Sequence, residues 1–324
     1  MAEPSHQTLE QAAEWFALLR DGQASHEHKR AWRNWLDAKP EHKKAWLYVE
    51  NISQSFEALQ QTPDPHHTAD NLYKANQRLR HRRRLLSGMV SIAVMGFVGQ
   101  LSWNKKWLPH SVMALAADYH TGVGQQRHIT LADGSQIWLN TATTINVDYS
   151  AQQRRIELLH GEIYIETAKD PARSFVVDTP HGRLTALGTQ FNVMNHPHDI
   201  ELAVYEGAVS IQTLHHQQTE LQAGERSRFN SDQIQAKQHV ITAQQAWRQG
   251  LLVAEDMTLQ DLIAELNRYQ YGYINISEEI AQLKVYGSFP LNDTDQALAM
   301  LTRVLPIQVR QVFPGWIKVE PNRS

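Results

Sequence analysis

Cysteine is missing altogether, which excludes disulfides, thiolate zinc sites, iron–sulfur clusters and cysteine nucleophiles. Such a chain is comfortable in an oxidising compartment. An excess of either charge is missing too: 31 Lys+Arg stand against 34 Asp+Glu, for a formal net charge of −3, so no global basic field calls for a direct nucleic-acid partner. Apolar runs of membrane length are confined to one place, which excludes a protein of several spans. Catalytic motifs are also scarce. No H-E-x-x-H, Walker loop, G-x-S-x-G elbow or carboxylate dyad stands out. Gly122-Val123-Gly124 lacks the third glycine of a dinucleotide loop, and Asp133-Gly134-Ser135 reads as a hairpin turn. Among the 17 histidines, His66-His67, His215-His216 and His196-Pro197-His198 cluster in loop-like stretches, without ligand spacing. No metal, no cofactor and no enzymatic turnover on other molecules are expected.

What is present is an ordinary globular composition, 42% hydrophobic and 20% charged over 324 residues, enough for two or so domains. Residues 1–62 predict a three-helix, all-α domain. Leu9, Ala12, Ala13, Phe16 and Leu19 follow helical spacing, Trp32, Trp35 and Leu36 form a second stripe, and Trp46, Val49, Phe56 and Leu59 a third that Pro40 opens. Residues 63–84, with Pro63, Pro65 and many amides, read as a linker ending in a basic segment.

Residues 85–103 carry no charged side chain and predict a single transmembrane helix, the alternative being a buried core helix. Lys74, Arg78, Arg80, Arg82, Arg83 and Arg84 precede this run, against Lys105 and Lys106 after it, so the N-terminus is expected in the cytoplasm and the C-terminus in the periplasm. Arg82-Arg83 also suits a twin-arginine export signal, and Ala114-Leu115-Ala116 a cleavage site.

From 117 to 242 the period becomes two, with Ile129/Leu131, Ile137/Leu139, Ile163/Ile165 and Val209/Ile211 among the alternating pairs and glycines between them. An all-β domain follows, sandwich-like or solenoid-like. Residues 247–320 read as strand, helix, strand, strand, helix, strand, strand, a small α+β module with Leu251–Val253 and Trp316–Val319 as candidate edge strands.

One dipeptide invites chemistry. A hydroxyl at Thr189 placed behind the carbonyl of Gly188 can attack it, giving an ester that water opens; a glycine bulge in a strand is the alternative.

The chain resembles the FecR family of bacterial anti-sigma factors and transmembrane signal transducers. The resemblance rests on W-L-D-A-K-P-E-H-K-K-A-W (35–46), the Arg-rich entry to one apolar run, D-G-S-Q-I-W-L-N (133–140), L-H-G-E-I-Y-I-E (159–166), A-L-G-T-Q-F-N-V (186–193), V-Y-E-G-A-V (204–209) and A-G-E-R (223–226). Residues 247–320 are similar to the secretin-and-TonB short N-terminal (STN) domain. The resemblance implies an inner-membrane protein whose helical domain binds an extracytoplasmic-function sigma factor, with Leu18, Leu19, Trp35, Leu36, Trp46 and Val49 as candidate contacts unless they are core. It implies that the periplasmic half reads the signalling domain of a TonB-dependent outer-membrane receptor and so controls iron-uptake genes. Membrane-embedded and periplasmic proteases would release the sigma factor, and some relatives self-cleave at the matching Gly188-Thr189 pair. The rival is a periplasmic glycan-binding or envelope-assembly protein with a membrane anchor, using Tyr119, Trp138, Tyr164 and Tyr205; a histidine-dependent hydrolase ranks last.

Overall fold

The computed structural model describes residues 5–20, 25–60 and 117–322 apart from 187. The chain divides into two compact units, Met1–Val112 and Met113–Ser324. Among the described residues the first holds three helices, α1 (His6–Arg20), α2 (His26–Ala38) and α3 (Pro40–Gln60). Ser25 caps α2 by accepting from the His28 N–H, and Glu27 in the first turn complements the helix dipole. Lys39, forced out of the helical region by the proline that follows it, separates α2 from α3. Buried Ala12 and Ala13 on α1 and Ala45 and Val49 on α3 let these two helices approach closely. Glu41 accepts from the Ser5 N–H (2.7 Å) and the Thr8 hydroxyl (3.1 Å), tying the start of α1 to the first turn of α3.

The expected fold class needs correction in one part. Among the described residues no helix is long and apolar enough to cross a membrane; α3 has 21 residues, but Glu41, Lys43, Lys44 and Glu50 lie along it. The run 85–103, the segment 63–84 and the candidate topology residues Arg82, Arg83 and Arg84 lie outside the described residues.

The second unit opens with thirteen strands: β1 (Tyr119–His120), β2 (Arg127–Thr130), β3 (Gln136–Leu139), β4 (Thr144–Tyr149), β5 (Gln153–Glu166), β6 (Ser174–Thr179), β7 (Gly182–Ala186), β8 (Gln190–Asn195), β9 (Ile200–Glu206), β10 (Ala208–Thr213), β11 (Gln218–Gln222), β12 (Glu225–Phe229) and β13 (Gln238–His239). The long strand β5 joins two halves of the sheet. Its first part pairs with β4 and, in parallel, with β6; its second part pairs with β3 and β8. Ile145, Ile156 and Leu158 from one half and Ile163, Phe191 and Val193 from the other enter one core. The remaining pairings of these thirteen strands are antiparallel, which fits a folded-over, sandwich-like sheet and not a solenoid of parallel repeats.

Residues 251–321 then run β14 (Leu251–Thr258), α4 (Leu259–Asn267), β15 (Tyr273–Ile276), β16 (Lys284–Pro290), α5 (Thr294–Val304), β17 (Ile307–Phe313) and β18 (Trp316–Pro321). This is the order read from the sequence. Thr258 caps α4 through the Asp261 N–H, and Asp293 caps α5 through the Gln296 N–H. Leu259, Leu262, Ile263 and Leu266 of α4 pack with Ala297, Leu298 and Leu301 of α5 over Ile274, Val285, Phe289 and Val319. The segment Trp316–Val319 is not an edge: β18 lies between β15, in parallel, and β17, antiparallel. Strand β14 pairs with β16 alone among the described strands and is an edge.

Candidate functional site

Three places bring polar or exposed side chains together. In the helical unit, Val49 is fully buried, and Leu19, Trp35, Leu36 and Trp46 are half-buried. The Trp46 ring sits 4.9 Å from Trp32 and 5.6 Å from Phe16, while Trp35 donates from Nε1 to Gln11 (2.9 Å) and stacks on His42 at 4.5 Å. These tryptophans therefore hold the helices together. Leu18 is exposed, and so are Leu47 and Tyr48, which sequence reasoning did not single out. A signal was available: Trp46–Val49 are four consecutive apolar residues, and a period of 3.6 cannot turn all four to one core.

At the second place, Gly188 has φ of +79° and precedes Thr189, which is buried and whose hydroxyl has no hydrogen-bond partner among the described residues. Thr167 brackets this peptide. Its hydroxyl accepts from the Thr189 N–H at 2.8 Å and donates to the Thr189 carbonyl at 3.2 Å, and its own N–H donates to that carbonyl at 3.0 Å. Gly207 is the third member: a Cβ there would stand 2.5 Å from the Gly188 oxygen and 2.8 Å from Thr189 Cγ2. The close approach at Gly207 and the left-handed backbone at Gly188 both require glycine. Nothing in the sequence around Thr167 announced this contact.

The third place is the seam between the thirteen-stranded sheet and residues 247–321. Arg268 donates from Nη2 to Glu162 Oε2 at 2.8 Å and from Nη1 to Glu265. Glu162, itself buried, also accepts from Asn140 Nδ2 at 2.8 Å and Asn192 Nδ2 at 2.9 Å, so both its oxygens are satisfied. Burial opposes the Arg268 charge, but Glu265 and Glu162 outweigh it and hold the guanidinium firmly protonated. Burial pushes the Glu265 carboxyl up, with Arg268 only partly offsetting it, and pushes the Tyr269 phenol up beside Asn140. Arg248 lies 3.8 Å above the Tyr164 ring and 5.1 Å from that of Trp138.

This seam takes up three of the four aromatics singled out in the sequence. Tyr164 is fully buried, Trp138 is stacked on His128 at 4.3 Å, and both lie beneath Arg248, while Tyr205 packs into the same cluster. Tyr119 packs instead against the core of the sheet, so the four aromatics do not line one shared face.

Comparison with known proteins fits this architecture. Residues 117–210 match the family model "FecR protein", and residues 10–52 match a domain of unknown function, DUF4880. The resemblance read from the sequence is thus supported over these two segments. Two crystal structures of a candidate anti-sigma factor from Parabacteroides distasonis share the fold at a TM-score of 0.52 and 21% identity, covering 62% and 63% of this chain and 97% of that one. No curated protein matches the chain significantly.

Proposed function

We propose that the chain is an anti-sigma factor and signal transducer: its helical unit holds an extracytoplasmic-function sigma factor, and its second unit reads the signalling domain of a TonB-dependent outer-membrane receptor for an iron source. The observation that carries this reading is the coexistence, in one chain, of the 10–52 and 117–210 family matches in separate compact units. The anti-sigma description of the Parabacteroides protein, which shares the fold, supports it. The proposal places the helical unit in the cytoplasm and the second unit in the periplasm, with proteases releasing the sigma-bound part.

Deletion of residues 247–322 tests the reading. A shortened chain that still holds its sigma factor but no longer responds to the iron source agrees with it; full induction by a stably present shortened chain contradicts it. Alkaline phosphatase fused after Arg127 should be active, and after Arg80 inactive.

Gly188-Thr189 adds a second element to the proposal, a single self-cleavage and no turnover on other molecules. The Thr189 Oγ attacks the Gly188 carbonyl carbon and gives up its hydroxyl proton to water, the C–N bond breaks as the amide nitrogen takes up a proton from water, and water then hydrolyses the resulting ester to a Gly188 carboxylate and a free Thr189 hydroxyl. The Thr167 hydroxyl accepts from that N–H at 2.8 Å and donates to the Thr189 carbonyl at 3.2 Å, holding the residue that carries the nucleophile in place.

A further inference from the structure

A groove of about 480 Å3 runs beside β14, between it and strands β8, β9 and β12. It is lined along much of β14, including Leu251, Leu252 and Val253, and by Asn192, Glu201 and Arg228 from the opposite side.

The backbone of β14 has a defined free side there. The Leu291 N–H donates to the Gly250 carbonyl, and the register continues as Leu251 opposite Pro290, Leu252 opposite Phe289 and Val253 opposite Ser288. In an antiparallel pair alternate residues exchange hydrogen bonds with the partner. Gly250, Leu252 and Ala254 therefore face β16, which suits Pro290 because it has no N–H to give. Leu251 and Val253 turn their N–H and C=O groups the other way, and no described strand pairs with that edge. An unpaired edge of this kind is a template for an added strand.

The charge lining the groove is unbalanced. Six carboxylates line it against the guanidiniums of Arg228 and Arg268 and the imidazole of His196. Arg268 is shared by Glu162 and Glu265, Arg228 is taken by Glu201, and Glu255 has no ionic partner among the described residues. Two further lining residues are short of partners: Trp247, with its Nε1–H, and Asn192, with its Oδ1, each have a buried atom with no hydrogen bond among the described residues.

We propose that this groove binds an extended peptide strand bearing a lysine or arginine, its backbone pairing with Leu251 and Val253 and its cation lying among Glu255, Glu265 and their neighbours. The proposal deepens the sensing role assigned to the second unit and rests on that reading for the source of the strand.

The probe is a fluorescein-labelled decapeptide of alternating threonine and valine with one central lysine, measured by fluorescence anisotropy on the purified full chain. Its glutamate counterpart should bind about tenfold or more weakly, the worth of one good charge contact. A lysine peptide N-methylated at alternate residues should lose binding, because it cannot pair with the edge. Val253→Pro removes an outward N–H without touching the ladder to β16 and should weaken binding comparably. The N-methylated peptide asks the same question of the unaltered protein, should that variant fail to fold. Glu255→Gln with Glu265→Gln should abolish the preference for lysine. Equal affinity for the lysine and glutamate peptides, undiminished binding of the N-methylated one, or no binding up to about 1 mM overturns the proposal. A receptor signalling domain that binds wild type and folded Val253→Pro protein alike also overturns the groove, while leaving the sensing reading intact. A bound lysine peptide with no bound receptor domain leaves the groove standing and removes the receptor.

Discussion

Arg268, in the turn that caps the C-terminus of α4, places its Nη2 2.8 Å from Oε2 of Glu162 on β5, two residues 106 positions apart that lock the C-terminal elements onto the β-sheet. The contact is mostly shielded, with side-chain exposures of 23% and 6%, so neither charge has an easy exit to water. Around it, Asn140, Asn192 and Glu265 complete a network whose members come from five separate elements or loops.

Arg268→Ala should cost on the order of 2–3 kcal/mol in urea unfolding of the second unit, because Glu162 and Glu265 are left without their shared cation. Paired with Glu162→Gln, the loss should shrink, since the stranded carboxylate is gone. A single variant as stable as wild type would show that the seam does not depend on this pair.

Acid should weaken the second unit through Glu201. Burial works against its charge, yet the His196 and Arg228 contacts prevail and hold the carboxyl down at about 2, from an ordinary 4.5. A carboxylate depressed in the folded state contributes stability that is complete above the unfolded value and lost as pH falls from about 4.5 toward about 2, here on the order of 3 kcal/mol. Glu201→Gln should therefore flatten the pH dependence of unfolding across that window, as followed by tryptophan fluorescence.

Self-cleavage at Gly188-Thr189 should vanish in Thr189→Ala and persist in Thr189→Ser. Thr167→Val should slow it about tenfold or more by removing the hydroxyl that holds the Thr189 N–H and carbonyl in place. Intact-mass measurement of the C-terminal fragment, starting at residue 189, checks all three. Cleavage in the Thr189→Ala protein would assign the break to a separate protease.

On the helical unit, Leu47→Asp should leave helicity unchanged and reduce sigma-factor binding at least tenfold, because Leu47 is 56% exposed and contributes little to the core. Val49→Ala should instead cost about 1–2 kcal/mol of stability, its side chain being wholly enclosed. Circular dichroism beside a binding assay separates the two effects. Undiminished binding by Leu47→Asp would move the interface away from this part of α3.

What the sequence determined by itself was whatever short-range physics decides. Pro40 opens α3 because its ring suits a first turn, Thr258 starts α4 because its hydroxyl satisfies a nearby N–H, and the strand–helix order after residue 250 follows from hydrophobic period. The β5 strand shows where that reach stops. Its first half alternates between half-buried and buried, as one covered face requires, but Gly161–Ile165 are buried without a break. Glu162 and Tyr164 occupy outward positions there, and only the docking of residues 247–321 covers them. Likewise, Trp316–Val319 carries no local mark that distinguishes a central strand from an edge. Its place depends on β15 and β17 arriving on either side, and Thr167 meets Thr189 only because β5 and β8 pair. Local propensity specifies the elements; which faces become interior is decided by partners distant in the chain, whose contacts exist only once the whole unit has closed.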